Sequence, residues 1–186
     1  MKIHIKNMVC DRCIMVVRQE LEKLQLNPSL VELGVAEIGV ENLEPSRKEL
    51  QERMLSLGFE LLQGKKDQIV ERIKNLLVHR IHRESQPLKI KLSEYLVAEL
   101  NQDYSSLSHL FSEHEHQSIE KFFIQQKIEK VKELLSYGEF TLSEIAFQLH
   151  YSSVAHLSNQ FKKVVGKSPS VYRKETLQDR STLDSL

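Results

Sequence analysis

The chain has 186 residues, with 26 basic and 26 acidic side chains, a formal net charge of zero and 40% hydrophobic residues. That length suits one large domain or two small ones, and the composition is that of an ordinary soluble globular chain. No run approaches the roughly 18 apolar residues of a membrane span and residues 1–6 lack a signal-peptide apolar core, so a cytoplasmic protein with no membrane partner is expected.

Residues 1–64 mix strand and helix signals. Residues 2–6 alternate, with Ile3 and Ile5 on one face, as a half-buried strand does. Residues 13–24 place Ile14, Val17, Leu21 and Leu24 at helical spacing, and Asn27-Pro28 ends that helix. Two short apolar runs, 30–33 and 35–40, flank Gly34 and read as a hairpin. Residues 46–57 read as a helix with Ser46 as N-cap, Glu49 three residues on and Gly58 as its stop. Residues 59–62 supply a last strand. The order is βαββαβ, the ferredoxin-like arrangement.

From Lys65 the strand signals vanish. Residues 67–83 carry Ile69, Val70, Ile73, Leu76, Leu77 and Ile81 on one stripe. Helices follow at 93–100, 104–113, 118–136, 143–149, 153–165 and 169–175, and the polar residues 176–186 read as a flexible tail. Composition therefore shifts at Gly64-Lys65-Lys66 from mixed α/β to all-α. The expected domains are 1–64 and 65–175. The helix pairs 93–113 and 143–165 share a pattern, each ending in Leu-x-x-x-Phe: Leu107 with Phe111, and Leu157 with Phe161.

The second pair has the layout of a helix-turn-helix, whose second helix enters a DNA major groove while its back face packs on the first. Ile145, Ala146, Leu149, Leu157 and Phe161 are the expected core. Val154, Ala155, Ser158, Asn159 and Lys162 then face outward. Asn can pair bidentately with adenine, Ser can donate or accept, and Val or Ala can meet a thymine methyl. In the first pair the outward set is Ser105, Ser108 and His109. Lys163, Lys167, Tyr172 and Arg173 are placed for phosphates, beside the N-terminus of the 169–175 helix. Net neutrality hides a local footprint: residues 160–174 hold five basic side chains and no acidic one. A bundle of helices with solvated charges is the bland alternative.

Residues 65–174 resemble the AraC-type DNA-binding domain. The matching residues are 126–135, Leu142-Ser-Glu-Ile-Ala146, Tyr151-Ser-Ser153, Leu157, Phe161-Lys-Lys163, Gly166, Ser168-Pro169 and Tyr172-Arg173. The resemblance implies two helix-turn-helix units joined by one long helix, reading successive major-groove segments of double-stranded DNA. Where the family's turns carry glycine this chain has Asn101, His116 and His150, residue types that tolerate positive φ. His109 with residues 113–116, and His79 with His82, read as solvated helix surface before a metal cluster.

Cys10 and Cys13 are the only cysteines. In a reducing compartment a lone Cys-x-x-Cys points to metal or thiol chemistry before a structural disulfide. It lies where a strand meets a helix N-terminus, which lowers thiol pKa, and two thiolates at this spacing can clamp a soft ion. With Met8-x-Cys10-x-x-Cys13 inside βαββαβ, residues 1–62 resemble a heavy-metal-associated domain. That resemblance implies Cys10 and Cys13 as ligands of Cu(I), or alternatively Zn(II), with Met8 packed beneath. Asn7 replaces the family's usual glycine. The thioredoxin-like context of a catalytic thiol pair is absent, so an enzyme is not expected, and no cofactor is required.

The expected function is a cytoplasmic, nucleoid-associated transcriptional regulator that answers to a soft metal ion or thiol state. A first alternative is a constitutive DNA binder whose N-terminal domain forms a homodimer or docks a partner such as RNA polymerase. A second is a metallochaperone without DNA activity.

Overall fold

The computed structural model describes residues 1–83 and 90–181, with side chains through 82 and from 90 to 176. It resolves into two compact units, Met1–Leu77 with Asn101–His114, and Val78–Leu100 with the chain from Glu115 onward.

The first unit opens with β1 (Lys2–Lys6), α1 (Asp11–Lys23), β2 (Pro28–Glu32), β3 (Val35–Ile38), α2 (Glu44–Ser56) and β4 (Glu60–Leu62). The strands form one small antiparallel sheet in the order β2-β3-β1-β4, with Ile3 opposite Ala36 and Ile5 opposite Leu61. Ile3, Ile5, Val31, Ala36 and Ile38 turn into a core shared with Val17 and Leu21 of α1 and with Leu50 and Met54 of α2. The alternation of β1 and the stripe of α1 thus do what their periods require. Gly34 makes the tight β2–β3 turn at φ +80, and Gly58 ends the stretch after α2 at φ +85.

Strands β2 to β4 shift by a residue or two from their expected bounds, and the starts of α1 and α2 differ for local reasons. α1 begins at Asp11, two residues before Cys13, so Cys10 becomes its N-cap. α2 begins at Glu44 rather than after Ser46, because Pro45 suits a first-turn position and the Asn42 side chain accepts from the Glu44 amide at 3.0 Å. Ser46 therefore lies inside the first turn and caps nothing.

α3 (Lys65–Arg83) starts in this unit. Its first half is tied to the sheet's loops: the Asn7 amide donates to Glu71 Oε1 at 3.1 Å, Gln68 Nε2 to the Leu62 carbonyl at 3.2 Å and Asn75 Nδ2 to the Leu33 carbonyl at 3.4 Å. α5 (Tyr104–Glu115) belongs to the same unit; its His114 lies 3.4 Å from Asp67 of α3.

The second unit holds the end of α3, α4 (Leu92–Leu100), α6 (Ile119–Tyr137), α7 (Leu142–Gln148), α8 (Val154–Val165) and α9 (Pro169–Ser181). α9 extends past residue 175, and 182–186 of the expected tail lie outside the described residues. α6 is bounded as the sequence indicates, by Ser118 accepting from the Lys121 amide and by Gly138 in the left-handed conformation. Ile128, Val131, Leu134 and Leu135 of α6 form the core with Ile145, Ala146 and Leu149 around α7, and with Leu157 and Phe161 of α8.

Candidate nucleic-acid interface

The sequence 141–166 folds as helix, turn, helix because each of its ends carries its own stop. Thr141 and Glu144 form a reciprocal capping box: Thr141 Oγ1 accepts from the Glu144 amide at 3.2 Å, and Glu144 Oε2 accepts from the Thr141 amide at 2.7 Å. The Thr141 hydroxyl and amide hold the Glu144 carboxyl below its ordinary pKa. α7 closes with the His150 amide on the Phe147 carbonyl and the Tyr151 amide on the Ala146 carbonyl, which puts His150 at φ 54. Asn101 and His116 sit at φ 51 and 53, so all three glycine replacements adopt the conformation that the resemblance demands. Ser153 caps α8 by accepting from the His156 amide, and Gly166 ends it at φ +85.

Leu157 and Phe161 are fully buried, which orients the rest of α8. Ala155, Asn159, Lys162 and Lys163 are exposed. Ser158 is half-buried on the same face, and Val154 turns part of its side chain against the core, so it is less free than its outward placement implied. On α5 His109 is exposed and Ser108 half-buried. Ser105 is exposed, but its hydroxyl bonds Asp103, whose carboxylate also accepts from the Ser106 amide and is held below its ordinary pKa by these bonds.

The residues expected at phosphates are also partly engaged. Lys167 pairs with Glu175 and lies 5.4 Å from the centre of the Tyr172 ring. Tyr172 meets Phe161 edge-on at 5.5 Å, so its ring belongs to the rim of the core. Arg173 is half-buried: Nη2 donates to the Phe140 carbonyl and Nε is buried without a partner. Its first task is to tie α9 to Phe140, just before the Thr141 cap of α7. Lys163 stays exposed.

A cluster that residue order did not reveal surrounds Tyr151. Its hydroxyl donates to Gln160 Oε1 of α8 at 2.8 Å, and its ring meets His156 edge-on at 5.3 Å. Lys127 Nζ of α6 lies 3.9 Å from the ring centre. Nothing in the spacing of 127, 151 and 160 signals this, because the contact joins α6, the α7–α8 turn and α8.

In the first unit Cys10 Sγ and Cys13 Sγ lie 3.4 Å apart. The Cys13 amide and then its thiol, both facing Cys10 across the first turn of α1, lower the Cys10 pKa. Met8 is fully buried, and Cys13 packs at the edge of the same core. Among the described residues no group of three or more His, Cys, Asp or Glu side chains could hold a metal ion, around these cysteines or around the histidines of α3 and α5. Among them too, no helix is long and apolar enough to cross a membrane.

Residues 96–175 match the family model of a helix-turn-helix domain. The Msm operon regulatory protein of Streptococcus mutans serotype c is 30% identical over 80 residues, which are 43% of this chain and 29% of that protein. The chain thus spans under a third of that relative's length. Among solved structures, the C-terminal domain of AraT, a response regulator from Geobacillus stearothermophilus, is 26% identical at a TM-score of 0.52, covering 60% of this chain and 88% of that one. A DNA-binding transcriptional dual regulator from Escherichia coli K-12 shares the fold at 20% identity and a TM-score of 0.52, over 63% of this chain and 96% of that one. So does the DNA-binding domain of AdpA, a global transcriptional factor solved in complex with a target DNA, at 18% identity and a TM-score of 0.52, covering 60% and 96% of the two chains. Residues 96–175 therefore form a helix-turn-helix domain.

Proposed function

We propose that this protein is a transcriptional regulator of AraC type that binds specific double-stranded DNA, with α8 as its principal reading helix. The observation that carries this is the two-sidedness of α8. Leu157 and Phe161 bury its back, while Ala155, Asn159 and Lys162 stand exposed at successive turns of the other face. The match to a helix-turn-helix domain and a fold shared with a protein solved on its target DNA support the reading. In it, Asn159 and Ser158 read base edges, Lys162 and Lys163 meet the strand, and Ser108 and His109 of α5 make a second, smaller set of contacts. The test is binding to fragments selected from genomic DNA, followed by fluorescence anisotropy. Asn159→Ala and Ser158→Ala should each cost roughly 1–3 kcal/mol on the selected sequence and little on random DNA. Equal losses on both would remove base reading from α8.

A second reading concerns when the DNA is bound. The facing thiols at the start of α1, with the lowered Cys10 pKa and the buried Met8, suit a soft ion held by two thiolates, as Cu(I) is. They suit Zn(II) poorly, since a structural zinc site takes about four ligands. The adjoining Asn7 is bonded to Glu71 of α3, so a change at the cysteines has a direct path into that helix. Under reducing conditions, Cu(I) should then change the operator affinity of the native chain and not that of Cys10→Ser/Cys13→Ser. Identical titrations would leave the N-terminal unit as a module that pairs with a second copy or docks RNA polymerase.

A further inference from the structure

Tyr151, in the turn between α7 and α8, is bonded to both of these helices. Its backbone amide closes α7 on the Ala146 carbonyl at 2.8 Å, and its hydroxyl donates to Gln160 at 2.8 Å, next to Asn159 on α8. The buried ring has two aligned neighbours: the Lys127 ammonium lies 3.9 Å from its centre, and His156 of α8 meets it in a T-shaped contact. A cation over a ring face is attracted by the ring's quadrupole, more strongly when both are shielded from water. Phe123, one turn earlier on α6, lies 6.0 Å from the same ammonium. Lys127 is thus half-buried, close over the Tyr151 ring and within reach of the Phe123 ring.

We propose that Lys127 is a positioning residue for DNA reading: its ammonium fixes the Tyr151 ring, whose hydroxyl sets the rotation of α8 through Gln160. This rests on the proposed function, since α8 must be the reading helix for its rotation to matter. Small rotations count there, because bidentate base contacts tolerate little misalignment.

Burial pushes the Lys127 pKa down to about 8, and it pushes the Tyr151 hydroxyl up, so Tyr151 stays a donor throughout the neutral and mildly alkaline range. The titratable group of the turn that faces Lys127 is His150, which also feels Arg80 of α3. Burial, followed by the positive charges of Lys127 and Arg80, lowers the His150 pKa. His150 is then neutral over the range in which Lys127 titrates. Below about pH 8 the ammonium holds the ring; above it the neutral amine does not, and alignment is lost as pH rises.

The experiment compares the native chain with Lys127→Met, Lys127→Arg and Tyr151→Phe, by anisotropy on a selected fragment and by NMR of the Gln160 side-chain amide from pH 7 to 9.5. The native chain should lose roughly five- to tenfold in affinity as pH rises through about 8, the size of effect a shielded cation–π contact supplies. Lys127→Met and Tyr151→Phe should show a comparable loss already at pH 7, with helical content by circular dichroism unchanged. Lys127→Arg, charged at every pH here, should bind like the native chain and show no alkaline fall. The Gln160 amide should move with a midpoint near pH 8 in the native chain and stay flat in Lys127→Arg. Native-like binding by all three variants with a flat Gln160 amide would overturn the proposal. If the Gln160 amide titrates but the native chain selects no DNA, the positioning contact holds and the assigned function fails, so the two failures are told apart.

Discussion

Arg173 lies in the basic stretch 160–174, where its charge suits a phosphate, yet its half-buried guanidinium is already bonded to the Phe140 carbonyl. A planar fork can hold a carbonyl and keep its charge, which a lysine at the same place does less well. Arg173→Ala should therefore destabilise the second unit by roughly 1.5–3 kcal/mol, the worth of a hydrogen bond to a charged group, as read from urea unfolding. An unchanged midpoint together with a salt slope of binding reduced by about one would return Arg173 to the phosphate set. Other residues were legible without the fold. Asn101, His116 and His150 stand where a turn needs positive φ, and their side-chain chemistry permits it. Tyr151 was legible only as part of a pattern; its partner on α6 is 24 positions away in sequence.

Helix boundaries follow the same division. Those of α6 and α8 are written in local chemistry, Ser118 to Gly138 and Ser153 to Gly166, and the structure keeps them. α7 has only seven residues and depends more heavily on its ends. Thr141→Ala should cost about 1 kcal/mol of stability and reduce the helicity of α7, measured by amide exchange across 142–148. The Glu144 side of the box has its own pH signature. Its carboxyl pKa is lowered on folding, so its contribution is present above the ordinary glutamate range and fades as the solution is acidified through the lowered value. Thr141→Ala should flatten that acid limb; a limb of unchanged shape would assign it to other carboxylates. At α2 local reading failed, since Ser46 and Glu49 look like a capping box while Pro45 and Asn42 start the helix two residues earlier. Two start signals overlapped there, and proline's preset φ decided between them.

For the whole molecule, a net charge of zero is uninformative because the charges are segregated: the basic run at 160–174 belongs to the helix-turn-helix domain. The N-terminal sheet, the helical remainder and the buried faces of both were recoverable from residue order, because hydrophobic period and capping chemistry act within a few residues of the chain. The outward face of α8 was recoverable for the same reason, since burying Leu157 and Phe161 leaves Asn159 and Lys162 outside. The structure alone decided that α3 is anchored to the sheet through Asn7 and Glu71, and that α5 joins that unit. It alone placed Arg173 on a carbonyl and gathered Lys127, Tyr151 and Gln160 into one contact. Each of these joins residues far apart in the chain, where no periodicity records the partner and only the packing of finished elements selects it.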